Sequence, residues 1–275
     1  MSKPDNGIVE HYTKSGLFER IIEALGKLGK TAGTIEPKDL KLVDEFHIGG
    51  IEATEDLLAQ LEIRKSTQVL DIGSGIGGMT RHIVAHYGAN VTGLDLTPEF
   101  VNTARRLTEL VGLSAEFRVG SALEMPFNAN QFDLATLMHV GMNLPDKPKL
   151  FAEVNRVLRP GGSFAVFDVM QIGENHPNFP LPWSSRPETS FLEKPETYLD
   201  AAAAAGFTLT ARRDRGGFAR DFFKKLSASL AGSTPPPLGL GLLMGEETQT
   251  KVGNMVAAVS AGDIAPVEMI FCGSD

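Results

Sequence analysis

A single cysteine, Cys272, stands in 275 residues. No internal disulfide can form and no cysteine-rich metal site can be assembled, which fits a reducing compartment; the expected location is cytoplasmic. The chain also lacks any unbroken apolar run of the roughly 20 residues that a membrane-spanning helix needs. Its opening, MSKPDNGIVEHYTK, has no apolar stretch of the kind that directs secretion. Positive charge is in deficit: 26 Lys and Arg against 34 Asp and Glu leave a net charge of -8, which repels a nucleic-acid duplex unless basic residues segregate on one face. The densest basic cluster, Arg212, Arg213 and Arg215, is broken by Asp214. The six histidines show no HExxH spacing, so no metal is expected.

What is present is an ordinary globular composition, 42% apolar and 22% charged, sufficient for a large core. The length suits two domains or one enlarged α/β domain, and no internal repeat is visible. Leu17, Ile21, Ile22 and Leu25 share one helical face, and a second amphipathic run covers Ile51 to Leu61. From Thr67 the pattern alternates. Strands are predicted at 67–72, 90–95, 115–119, 132–138 and 163–169, with helices at 79–87, 98–111 and 147–158, the last stopped by Pro160-Gly161-Gly162. Strands joined by helical crossovers run parallel and are covered on both faces, so the predicted class is a doubly wound α/β sheet. Beyond Val169 follow a Pro-rich loop to Pro195, a helix to Ala205, a strand at 207–213 and a last strand at 267–272. Helical stretches at 218–230 and 246–260 form an insertion between those two strands, long enough to cap one end of the sheet.

Gly73-Ser74-Gly75-Ile76-Gly77-Gly78 lies between the first predicted strand and helix and satisfies G-x-G-x-x-G through Gly73, Gly75 and Gly78. Such glycines let a ligand approach the backbone, and the helix that follows offers free N–H groups to an anion. Asp71, two residues earlier, separates the possible ligands. A carboxylate there repels a dinucleotide pyrophosphate and suits an ammonium group. S-adenosylmethionine carries an ammonium, a sulfonium and a carboxylate, and so matches both parts of the site. Asp95, at the end of the next strand, can accept hydrogen bonds from ribose hydroxyls, a role common to nucleoside cofactors. The alternative reading, a nicotinamide-dependent oxidoreductase, finds no Tyr-x-x-x-Lys pair at any of the three tyrosines.

At these residues the chain resembles the class I S-adenosylmethionine-dependent methyltransferases, through VLDIGSGIGG, VTGLDLTPEFV, FRVGSALEMPF, the acidic start of the fourth strand, and LFAEVNRVLRPGGSF. The resemblance implies a mostly parallel seven-stranded sheet ending in an antiparallel pair. It implies that Asp71, Gly73 and Gly75 border the methionine moiety, Asp95 and Leu96 the ribose and adenine, and Ser121 and Ala122 the adenine edge. Ser74 and Leu137 are expected beside the same cofactor. Many relatives carry Asp where this chain has Ser121, whose hydroxyl makes a weaker bond to the adenine amine. The flanks, among them DEFHIGGIEATEDLLAQL and MHVGMNLPDK, look like small-molecule methyltransferases similar to those of ubiquinone and menaquinone biosynthesis or acting on sarcosine and dimethylglycine.

One domain over 1–275 is expected, with 1–64 as an amino-terminal helical lid, 65–170 as the cofactor-binding core, and 171–275 supplying the substrate side. Methyl transfer from a sulfonium needs alignment, desolvation and at most removal of one proton from an N, O or C nucleophile. His139, after the fourth strand, is the expected base. Tyr12, His47, Met142 and Trp183 are expected to face a small-molecule acceptor, Trp183 through its ring. Neither a nucleic-acid partner nor a membrane span is expected, and a homo-oligomer is compatible with the sequence. A non-catalytic cofactor-binding subunit stays open as the third reading, hinted at by Ser121 alone.

Overall fold

A computed structural model describes residues 16–230 and 237–274. Its strands are β1 (Gln68–Ile72), β2 (Asn90–Asp95), β3 (Glu116–Val119), β4 (Phe132–Met138), β5 (Leu158–Gln171), β6 (Phe207–Asp214) and β7 (Ile264–Gly273). They form one seven-stranded sheet in the order β3-β2-β1-β4-β5-β7-β6. The first five pair in parallel, and β7 runs antiparallel to both β5 and β6. The helices longer than one turn are α1 (Leu17–Lys27), α2 (Gly50–Leu58), α3 (Gly78–Tyr87), α4 (Pro98–Leu110), α5 (Lys147–Val157), α6 (Pro195–Ala204), α7 (Gly216–Leu230) and α8 (Thr248–Ala261).

Apolar runs such as Phe164 to Val169 belong in a strand covered on both faces, and Phe164, Ala165, Val166, Phe167 and Val169 are all buried. From β1 the chain winds outward through α3 and α4 to β3, then returns to lay β4 against the other side of β1. Winding reverses between β1 and β4, and the carboxyl ends of strands diverge at such a point to leave a crevice. α1 covers its flank. Its apolar stripe of Leu17, Ile21, Ala24 and Leu25 is buried in one cluster with Phe100 and Leu107 of α4 and with Leu238 and Leu243 of the insertion. Arg106 of α4 also pairs with Glu19 at 2.6 Å.

Two details differ from the sequence reading. Pro160-Gly161-Gly162 does not separate α5 from its strand, because α5 ends at Val157 and β5 begins at once. Leu158 pairs with Phe132 and Ser163 with Leu134, so Arg159 to Gly162 stand out as a bulge. Pro160 has no N–H for the ladder, and Gly161 takes φ 70°, both suited to a looped-out turn. The last strand is also longer than predicted, beginning at Ile264 and buried almost throughout.

Candidate functional site

The crevice at the β1/β4 reversal holds a cavity lined by Asp71, Gly73, Ser74, Gly75, Asp95, Leu96, Ser121 and Ala122 on one side and by His47, Met138, His139, Val140 and Leu144 on the other. Gly73 joins the two sides. It sits at φ 72°, and a Cβ on it would meet Val140 Cγ2 at 2.2 Å. Gly75, at φ 54°, has open space where its Cβ would be. The turn therefore offers bare backbone to a guest at Gly75 while packing tightly at Gly73.

Asp71 borders the cavity but does not stand free at the strand tip, as the electrostatic reading of the sequence supposes. It is 3% exposed. Thr80 Oγ1 donates to Oδ2 at 2.7 Å and Thr136 Oγ1 to Oδ1 at 3.2 Å. Burial pushes its pKa up to about 6, the two hydroxyls opposing the rise. It remains mainly ionised at neutral pH and acts on a ligand through its field. Asp95 is the half-buried partner at the end of β2. Gly75 N–H donates to its Oδ2 at 2.9 Å and Thr97 N–H to its Oδ1 at 2.8 Å. The carboxylate keeps acceptor capacity for a guest, while it fixes the glycine turn itself. Ser74 Oγ is buried without a partner, a polar group a bound ligand can satisfy. Ser121 Oγ accepts from Leu123 N–H at 3.3 Å and so shapes its own turn as well.

The histidine wall departs most from expectation. His139 takes φ 54°, uncommon outside glycine. Its backbone N–H and its Nδ1 both turn to Phe167 O, at 2.8 and 3.2 Å, and its Nε2 accepts Ile48 N–H at 3.3 Å. Both ring nitrogens are spent on backbone groups. Burial, then neighbouring His47, lowers its pKa to about 3. The structure thus corrects the expected base: His139 pins residues 47–50 to the sheet. His47 lies against it, ring centroids 5.8 Å apart, and burial lowers its pKa to about 4.

Leu137, Met142 and Trp183 do not line the cavity. Leu137 is wholly buried among residues of α5 and β5, because alternation along β4 sends the next side chain, Met138, to the cavity instead. Met142 and Trp183 are 3% exposed in a cluster with Ile48, Leu181 and residues of α7 and α8. Trp183 Nε1–H donates to Ser190 Oγ at 3.0 Å, and the indole anchors its loop outside the cavity lining. Tyr12 lies outside the described residues. Phe46, Asp44 and Phe100 line the cavity unforeseen, as does Leu243, which the insertion brings in. Asp44 is paired with Arg81 of α3, a guanidinium 1% exposed that also donates to Ile76 O at 2.8 Å. The acidic pair before HIGG is the one signal in the sequence that marks this segment.

Residues 70–166 match the family described as methyltransferase domain. Over these residues the chain carries a methyltransferase domain. The domain is 37% identical over 107 residues to tocopherol O-methyltransferase of Arabidopsis thaliana, a stretch covering 38% of this chain and 31% of that protein. It is 39% identical over 102 residues to 2-methyl-6-phytyl-1,4-hydroquinone methyltransferase of Synechocystis, covering 37% of this chain and 32% of that protein. The matched stretch thus spans about a third of each curated relative. Around the domain, the fold as a whole is similar to geranyl diphosphate methyltransferase in complex with geranyl diphosphate and sinefungin, with a TM-score of 0.71 at 18% identity over 98% of this chain and 99% of that one.

Proposed function

We propose that this protein transfers a methyl group from S-adenosylmethionine to an uncharged, largely apolar small molecule. The observation that carries the reading is the charge inventory of the cavity. Among the described residues its lining holds the carboxylates Asp44, Asp71 and Asp95 and no Lys or Arg. Arg81 occupies Asp44, which leaves Asp71 and Asp95 to act on a guest. A cationic amino acid-nucleoside fits two carboxylates, an unpartnered Ser74 hydroxyl and an open Gly75 backbone; a diphosphate does not. Asp95 would hold the ribose through its remaining acceptor capacity, and Asp71 would attract the ammonium end through its field.

When bound, S-adenosylmethionine supplies a methyl group on a good leaving group. This chain's own part is alignment and exclusion of water. Val43, Phe46, Leu144 and Leu243 supply an apolar wall beside the histidines, suited to a ring or hydrocarbon. The same wall offers no counter-charge to a phosphorylated acceptor, whose oxygens would be buried unpaired. Tocopherol and phytyl-hydroquinone, named for the relatives, are neutral and apolar, which supports the same class.

Titration calorimetry with S-adenosylhomocysteine, followed by methyl-label transfer to a panel of a hydroquinone, a sterol, phosphoethanolamine and geranyl diphosphate, tests the reading. The expected outcome is binding of the cofactor product and labelling of a neutral acceptor. Binding of NADH with none of S-adenosylhomocysteine, or labelling confined to the phosphorylated acceptors, would overturn it.

A further inference from the structure

His47 and His139 stand side by side with opposite hydrogen-bonding commitments. Every group placed at His47 Nε2 leaves it the proton to carry. Gly50 O lies at 3.0 Å and can only accept. Glu45 Oε2 lies at 3.4 Å. Thr54 Oγ1, at 3.1 Å, gives its own proton to Glu45 Oε2 at 2.9 Å and is left to accept. The neutral ring must therefore carry its proton on Nε2, and Nδ1 holds the free lone pair. No described residue hydrogen-bonds Nδ1 of His47, and the ring borders the cavity. At His139 the order is reversed: Nδ1 donates to Phe167 O, and the Nε2 lone pair is taken by Ile48 N–H.

We infer that His47, oriented by Glu45 and Thr54, is the proton acceptor for methyl acceptors that lose an O–H or N–H proton in the reaction. The inference rests on the methyl-transfer reading above. As the acceptor's electron pair closes the bond to the methyl carbon, its proton passes to Nδ1. The positive charge that arrives with the methyl donor then ends on the imidazolium, facing the Glu45 carboxylate across Nε2. Glu45 is a positioning residue and counter-charge, buried where Asp44, Lys41 and Arg81 are its charged neighbours. Burial raises its pKa to about 7, so the Glu45 carboxyl ionises near neutral pH while the ring of His47 stays neutral.

Histidine-¹⁵N spectra of the full chain with S-adenosylhomocysteine bound read the tautomers directly, with His47→Gln and His139→Gln assigning the signals. Expected is Nε2–H for His47 and Nδ1–H for His139; an Nδ1–H form of His47 overturns the inference whether or not an acceptor is known. With a hydroquinone acceptor, His47→Gln is expected to lower kcat by about 100-fold or more while cofactor affinity holds within about threefold. Glu45→Gln is expected to flatten the acid limb of the rate profile near pH 7, and Glu45→Asp to restore it in part. A wild-type rate in His47→Gln, or an unaltered limb in Glu45→Gln, overturns the inference. A wild-type chain that fails to bind S-adenosylhomocysteine would instead remove the methyl-transfer reading, with the tautomers still decided by the spectra.

Discussion

The two halves of the cavity are assembled in opposite ways. The glycine-turn half comes mainly from one short stretch, Asp71 to Thr97, in which strand, turn, helix and strand follow one another, with Ser121 and Ala122 added after β3, and Asp95 reaches back 20 residues to hold Gly75. The histidine half gathers Val43 to His47, Met138 to Leu144 and Leu243 from three distant parts of the chain. The first is acidic, its two carboxylates hydrogen-bonded and its Ser74 hydroxyl without a partner. The second is mainly apolar, with the Asp44 carboxylate taken up by Arg81 and two imidazoles that burial keeps neutral. A half that serves one unchanging ligand can be written locally, whereas a half set by loops and insertions can change its guest without disturbing the first.

Asp95→Ala attacks that division most strongly, since it removes the anchor of Gly75 and Thr97 together with the proposed ribose acceptor. Affinity for S-adenosylhomocysteine is expected to fall by about 100-fold, about 3 kcal/mol, in calorimetry. Leu243→Ala, in the other half, is expected to leave that affinity within about threefold. Equal losses in the two variants would show that the halves do not divide the work.

Asp168 tests what stiffens the histidine half from behind. Wholly buried, it accepts Tyr198 OH at 2.6 Å and the N–H of Gly141, in the loop that follows His139. Burial raises its pKa to about 7, with Tyr198 and Lys147 opposing. A carboxyl raised in the folded state holds a proton that the unfolded chain has lost, so its stabilisation is complete below the ordinary carboxylate range and disappears as pH rises through about 7. Thermal melts are expected to show stability falling from pH 5 to 8, by on the order of 2 to 3 kcal/mol from this group. Asp168→Asn should flatten that slope. An unchanged slope would place the ionisation elsewhere.

Gly73→Ala probes the seam between the halves. The added methyl meets Val140 in a left-handed backbone, and a cost of about 2 kcal/mol in chemical denaturation is expected. A wild-type midpoint would mean that Val140 yields freely.

How much of this was legible follows from the same division. Asp71, Gly73, Gly75 and Asp95 could be brought to one cavity because they lie within 25 residues of one another. The doubly wound sheet was readable because apolar strands alternate with amphipathic helices. His139 was misread because its ring is committed to Ile48 and Phe167, 91 and 28 residues away, and nothing beside it in sequence announces either bond. Leu137 was expected where Met138 stands, since alternation fixes a period of two but not which face meets the cavity. The bulge at Pro160 was hidden for a similar reason: a Pro-Gly-Gly run ends a helix or loops out of a strand, and only the partner Phe132 decides.

Trp183 carries the smallest expected effect and the sharpest statement about where the cavity stops. Trp183→Phe removes the hydrogen bond to Ser190 Oγ and part of a ring packed in the cluster that also holds the Ile48 side chain. The cost should be about 1 kcal/mol in denaturation. Because the indole backs residues 47–50 without lining the cavity, cofactor affinity and the KM for a neutral acceptor should both stay within about twofold of wild type, a difference well under 1 kcal/mol. A large rise in KM with normal stability would mean that the acceptor reaches past Ile48 to the indole, and the histidine half would then extend into the Pro-rich loop.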